Sequence, residues 1–179
     1  WNDSIPLIIL SGQSNSRFLI GETGLRQRGV HEANITKIVE TVTKYAITIT
    51  DEQTIRYHLG KAIHLARSGR PGPVWVDIPI DIQSKMIDPE TLPAFTPEND
   101  AAPTATKIAD SEINTVINWL NSATRPIIIA GHGIRLAGYQ EQFLEFAERF
   151  NIPVVTTKNA FDLINDDHRL LAGRIGING

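Results

Sequence analysis

No cysteine occurs among the 179 residues. Disulfides, iron–sulfur clusters, thiolate zinc sites and cysteine nucleophiles are therefore excluded, and a reducing cytoplasm is the expected compartment. No apolar run approaches the 18 or so residues of a membrane helix, so no membrane partner is expected. No excess of either charge is present: 17 Lys and Arg nearly balance 20 Asp and Glu, the formal net charge is -3, and a broad nucleic-acid-binding face is not expected. Several catalytic signatures are missing: G-x-S-x-G, G-x-x-x-x-G-K-[ST] and H-E-x-x-H. The acidic pairs Asp51-Glu52 and Asp166-Asp167 are adjacent residues that face apart on regular structure, and read as caps or loops. His58 and His64, six apart, read as helix surface, and His31 stands in a glycine-bearing loop.

Charge and proline divide what is present. Residues 1–85 carry ten basic and eight acidic groups, residues 86–110 one and five, and residues 111–179 six and seven. The middle stretch holds Pro89, Pro93, Pro97 and Pro103, with Ala-Ala-Pro-Thr-Ala-Thr at 101–106, and reads as an extended linker between two domains. The opening Trp1 and the glycine-rich Gly173 to Gly179, read as a loop, suggest an excerpt of a longer chain.

Both flanks alternate strand and helix patterns. Ile5 to Leu10 predicts a buried strand, and residues 13–31, with Gly21, Gly24 and Gly29, a long loop. Ile35, Ile38, Val39 and Val42 lie on one helical face, and Tyr45 to Ile49 predicts a short strand. Asp51 is a candidate cap for a helix with Ile55, Leu59, Ala62, Ile63 and Ala66 inward and Gly69 as its stop. Pro73 to Pro79 predicts the next strand. Further on, Ser111 is a candidate cap for a helix with Ile113, Val116, Ile117 and Leu120 on its apolar face. Ile127 to Ala130 predicts a strand, Phe143, Phe146, Ala147 and Phe150 a helical face, and Pro153 to Thr156 another strand. Strand–helix alternation predicts parallel α/β sheets in both parts.

Two strings stand out. Gly131-His132-Gly133-Ile134-Arg135-Leu136-Ala137-Gly138 follows a strand and precedes a helix, the setting of a dinucleotide-binding turn. Leu136 stands where G-x-G-x-x-G needs its third glycine, so a phosphate-binding turn and a plain tight turn both stay open. In Gly69-Arg70-Pro71-Gly72-Pro73 two prolines and two glycines force one path from helix to strand around Arg70. Arg70 reads either as a helix C-terminal cation or as an anion or cofactor contact.

The string Gly69-Arg70-Pro71-Gly72-Pro73-Val74-Trp75-Val76-Asp77-Ile78-Pro79-Ile80-Asp81-Ile82-Gln83 resembles the end of the pyrimidine-binding domain in thiamine-diphosphate (ThDP)-dependent enzymes of the acetolactate synthase group. Asp3 to Pro6 with Ser11-Gly12-Gln13, Arg26 to Glu32 and Thr43 to Ala46 resemble preceding family segments, and residues 111–179 resemble the start of the central domain. The resemblance implies residues 1–85 as the C-terminal half of the ThDP-binding fold, 86–110 as linker and 111–179 as part of a Rossmann-like domain, each a parallel three-layer α/β unit. It implies ThDP with Mg²⁺ as cofactors, a small-molecule 2-oxo acid as substrate, decarboxylation and carboligation as the chemistry, and a homodimer or homotetramer. The family's catalytic glutamate is expected upstream of Trp1, and its Gly-Asp-Gly…Asn motif downstream of Gly179. No catalytic or metal residue is then expected within these residues, and the isolated chain is expected to be inactive.

By the same resemblance Arg70, Gly131, Gly133, Gly176 and Asn178 match FAD-binding positions of members that carry FAD, and Gln13 lies near the cofactor pocket. Val30 and His31 stand where acetolactate synthases carry Phe-Gln beside the substrate, which implies a different acceptor or a divergent synthase-like enzyme. The competing reading is a non-catalytic module binding FAD or NAD through Gly131 to Gly138.

Overall fold

A computed structural model describes residues 1–97 and 107–176. The chain divides into two compact units, residues 1–105 and 106–179. Each is a parallel α/β unit built on three strands, as the alternation predicts.

In the first unit the strands β1 (Ile8–Gln13), β2 (Tyr45–Thr48) and β3 (Val74–Pro79) form a sheet of order β1-β3-β2. The central strand β3 buries Val74 and Val76 against the helix α2 (Ile55–Arg67), whose Ala62 and Ala66 are small enough to bring the helix close. Asp51 caps the short 3₁₀ turn Glu52–Thr54 ahead of α2, accepting from the Gln53 N–H at 2.9 Å. Gly69 adopts φ +55 just beyond α2, and Gly72 N–H returns to the Ala66 carbonyl at 3.0 Å.

Several expectations shift here. The strand expected over Ile5 to Leu10 begins at Ile8 and is not buried. It is an edge strand, and the apolar cluster under α2 draws on β2 and β3, so Leu10 stays 59% exposed. The helix expected through Val42 is α1 (Ile35–Val39) followed by a 3₁₀ turn, Glu40–Val42. Only Val39 of its apolar face is buried, while Ile38 and Val42 are exposed. Ile63 likewise points away from the core formed by Ala62 and Ala66. After the short helix α3 (Ile80–Gln83), the chain runs back along α2. Leu92 is buried and Phe95 sits edge-on to Tyr57, 5.7 Å between centroids.

In the second unit β4 (Ile128–Ala130), β5 (Val154–Thr156) and β6 (Leu171–Arg174) form a parallel sheet of order β4-β5-β6. Ala130, Ala147, Val154, Ala160, Leu163, Ile164 and Leu170 make its core. Leu171 to Arg174 is a strand although Gly173 reads as part of a closing loop. Gly173 pairs with Val155 beside a register shift and takes φ +145, which only glycine adopts easily.

The helix α4 (Asp110–Ser122) starts one residue before the expected cap: Ser111 lies inside it, and the Glu112 carboxylate accepts from the Ala109 N–H at 3.1 Å. Its predicted apolar face is not core, since Ile113, Val116 and Ile117 are exposed. The one-turn helix α5 (Gly133–Leu136) precedes α6 (Gln140–Phe150), which buries Ala147. Phe146 and Phe150 lie against each other with tilted rings, 4.9 Å between centroids, on the surface rather than in the core. Asn151 ends α6 in the left-handed region, φ 51.

Candidate functional site

In open parallel sheets ligands bind beyond the carboxyl ends of the strands. In the first unit that end is polar. Asp77 is the only charged residue of Val-Trp-Val-Asp-Ile-Pro and has 0% exposure. Register sets Ser11 of β1 and Thr48 of β2 on either side of it, so the three side chains share one face, opposite Val74 and Val76. The Ser11 hydroxyl donates to Asp77 Oδ1 at 2.5 Å, and Gln13 Nε2 and Thr48 Oγ1 donate to Oδ2 at 3.1 and 3.3 Å. Trp75 Nε1 donates to the Ser11 oxygen at 2.7 Å. A buried carboxylate is thereby satisfied by neutral donors rather than by a counter-charge.

Gln13 leads into the loop that carries Val30 and His31, and its Nε2 also donates to the Ala33 carbonyl at 2.7 Å. Asp81, in the first turn of α3, accepts from the Ser16 N–H at 2.8 Å and the Ser16 hydroxyl at 2.6 Å. The Ser16 hydroxyl and N–H hold the Asp81 carboxyl below its ordinary range. Inside the loop, buried Glu32 accepts from the N–H groups of Ile20 and Arg28 at 3.2 and 3.3 Å. A turn joins Gly29 to Glu32, with the Glu32 N–H on the Gly29 carbonyl at 3.3 Å. Gly29 is required: a Cβ would lie 2.9 Å from Ser14 Oγ and 3.0 Å from Phe18 Cβ. At the turn's corners Val30 is 79% exposed, and His31 holds φ 60, a left-handed conformation uncommon outside glycine.

Arg70 lines a cleft of about 600 Å³ with Trp1, Lys44, Leu65, Ser68 and Pro71. Its Nε donates to Ser4 Oγ at 2.7 Å and its Nη2 to the Asn2 carbonyl at 3.3 Å. The guanidinium thus grips the N-terminal turn, where Ser4 holds φ 56. Lys44 Nζ donates to the Ser68 carbonyl at 2.6 Å, and burial pushes this ammonium below its ordinary range.

In the second unit Gly131 follows β4 and Gly133 opens α5. A Cβ on Gly133 would meet nothing within 4 Å, and one on Gly131 would be 3.9 Å from Thr157 Oγ1. Internal packing therefore demands glycine at neither position, and the space beside both is open. His132 between them shares a hydrogen bond with the Asn159 carbonyl at 3.1 Å, and Arg135 pairs with Asp162 at 2.5 Å, which holds that carboxyl below its ordinary range. Gly176 follows β6 with φ +158, and Asn178 lies outside the described residues. The Thr156 hydroxyl is buried without a hydrogen-bond partner.

The structure thus brings Gln13, Val30 and His31 onto one connected loop system. Arg70 stands at a separate cleft of the same unit, and Gly131 and Gly133 belong to the other. Asp77 and Asp81 belong to no catalytic or binding motif of the sequence. Their signal was present, an acidic residue inside an apolar strand and a second one four positions on.

No helix among the described residues is long and apolar enough to cross a membrane, and none of their His, Asp and Glu side chains cluster in threes as a metal site needs. Residues 113–179 match the family model "Thiamine pyrophosphate enzyme, central domain". Glyoxylate carboligase of Escherichia coli O157:H7 is 34% identical over 98% of the chain, which covers 28% of that protein. Acetolactate synthase large subunits are similar: that of Corynebacterium glutamicum is 34% identical and that of Lactococcus lactis 31%, each over 99% of the chain and 27% and 29% of the relative. The chain therefore spans under a third of the length of these relatives. With two parallel α/β units and similarity running from end to end, the chain is similar to a stretch of acetolactate synthase-like sequence, and its second unit to the central domain of thiamine-pyrophosphate enzymes.

Proposed function

We propose that these residues serve a ThDP- and Mg²⁺-dependent decarboxylase and carboligase acting on a small 2-oxo acid. The carrying observation is similarity to carboligating enzymes over both units, 34% identity across 98% of the chain. Residues 1–85 serve as the later half of the pyrimidine-binding domain, 86–110 as linker and 111–179 as the start of the central domain. The protein is a cytoplasmic homodimer or homotetramer on this reading.

Among the described residues no three His, Asp or Glu side chains converge as a candidate metal centre. By the family resemblance the ligands of the metal and the diphosphate are assigned to sequence outside these residues. ThDP supplies an electron sink for decarboxylation and carbon–carbon bond formation when bound. The role left to this stretch is recognition. Gln13 lies at the end of β1 near the cofactor, and Val30 and His31 contact the acceptor. The cleft of Arg70 fits an anionic, flat group: two cations stand beside the Trp1 ring and an apolar floor of Leu65 and Pro71. We assign an FAD contact to Arg70 in this cleft and, by the same family resemblance and as a separate assignment in the second unit, to Gly131, Gly133 and Gly176, with Asn178 outside the described residues.

The test is turnover by a full-length protein that contains these residues. Carbon dioxide release from pyruvate or glyoxylate is expected only with both ThDP and Mg²⁺ added. His31→Gln with Val30→Phe is expected to change the product ratio between acceptors. FAD or NAD binding with no turnover of either acid would replace this reading with a non-catalytic nucleotide-binding module.

A further inference from the structure

The 20 residues from Ser14 to Ala33 connect β1 to α1 with a single 3₁₀ turn, Ser16–Phe18. Connections of this length without regular structure are uncommon in compact domains and are usually functional. This one is anchored rather than free. Its near end is held by Asp81, which takes both the N–H and the hydroxyl of Ser16. Its far end is held by Gln13, whose amide joins the Ala33 carbonyl to Asp77. Both carboxylates come from the chain leaving the central strand, four residues apart, so one rigid segment grips both ends of the loop. Glu32 ties the middle, and the turn it closes leaves no room for a Cβ at Gly29. The result is a preset tip, with Val30 exposed and His31 in a left-handed conformation, on the carboxyl side of a parallel sheet.

We propose that Asp81, together with Asp77 acting through Gln13, is a positioning residue that clasps this loop and presets Val30 and His31 for recognition of the small-molecule acceptor. The recognition half of this statement rests on the carboligase reading above. The clasp itself rests on geometry alone.

The test compares a full-length protein containing these residues with its Asp81→Asn and Ser16→Ala variants, by amide hydrogen exchange and by steady-state kinetics. Asp81→Asn keeps the shape and removes the charge. It is expected to speed exchange of residues 15–33 about tenfold, with β3 amides unchanged. It is also expected to raise KM for the 2-oxo acid and shift the product ratio while the affinity for ThDP stays the same. Ser16→Ala loses one of the two bonds and is expected to move the same readouts by less. Unchanged loop exchange in both variants would overturn the clasp, and so would loosening of β3 to the same degree. A loosened loop with unaltered KM and product ratio would overturn the positioning role. Absence of turnover in the unaltered chain would sink the carboligase reading alone, with the exchange data still deciding the clasp.

Discussion

At the scale of single residues, Asp77 and His58 make the sharpest claims. Asp77 is itself buried and accepts from Ser11, Gln13 and Thr48 at once, so Asp77→Ala removes the shared acceptor of three partly buried donors, of which Gln13 Nε2 keeps the Ala33 carbonyl. The expected loss is about 3 kcal/mol, measured by urea unfolding, since breaking a buried hydrogen-bond network is among the costlier single changes. His58 shares a hydrogen bond of 2.6 Å with the Tyr45 hydroxyl. Burial first, and the nearby Lys61 charge second, push its imidazole below the ordinary value of 6.5. The unfolded chain therefore binds this proton more readily than the folded one. Stability from this group is complete above pH 6.5 and declines as the pH falls from there toward the lowered folded value. His58→Gln should flatten that decline in melts run at about pH 7.5 and about pH 5.5. An equal decline in both proteins would contradict the assignment. His31 offers an opposite test: His31→Gly relieves the left-handed backbone and is expected to stabilise by up to about 1 kcal/mol. Of these groups, only His31 was distinctive in the sequence, by its place in a glycine-bearing loop. Asp77 looked like one more letter of a strand because its partners are 29 to 66 positions away.

At the scale of elements, the segment following α3 behaves as a strap. Arg56 Nη1 donates to the carbonyls of Pro89, Glu90 and Leu92 at 2.7, 3.2 and 3.3 Å. Gly60 makes room for Phe95, where a Cβ would stand 3.1 Å from the Phe95 Cβ. Tyr57 and His64 flank the Phe95 ring at 5.7 and 5.4 Å between centroids. Leu92→Ala and Phe95→Ala are expected to free the strap, Leu92→Ala at a cost of about 2 kcal/mol. Faster tryptic cleavage at Lys85, with α2 remaining protected, is the measurable consequence. Unaltered cleavage would mean that the strap is held by its backbone contacts to Arg56 alone. Proline content marked this segment as extended, which is a statement about φ and not about contact: nothing in Pro89 or Pro93 announces that Leu92 finds a buried place beside them. The longer helices and most strands were legible because periodicity is local, whereas the one-turn helices α3 and α5 are too short to show a period. β6 was not, since Leu-Ala-Gly-Arg has neither alternation nor β-branching, and its pairing with β5 supplies the order.

At the scale of the whole molecule, much apolar surface is left uncovered. Trp119 is 68% exposed, and Leu10, Ile129, Val116 and Ile117 are exposed as well. Surfaces of this kind, beside the open edges of two three-stranded sheets, favour association. The 179 residues expressed alone are expected to self-associate with rising concentration, as read by light scattering. A monodisperse monomer across the range would show that these faces tolerate water.

Strand–helix alternation and the parallel α/β class are legible in the sequence because periodicity and turn residues are written in adjacent positions, and the Gly-Arg-Pro-Gly-Pro string carries the resemblance. The sequence also marked Gln13, Val30 and His31. Burial was decided only by the tertiary structure: an amphipathic face such as Ile113, Val116 and Ile117 declares a preference for cover, while cover depends on which element lies opposite. The clasp around the Ser14 to Ala33 loop was decided there too. Hydrogen bonds between residues 64 to 66 positions apart exist only once β1 and β3 lie side by side in register.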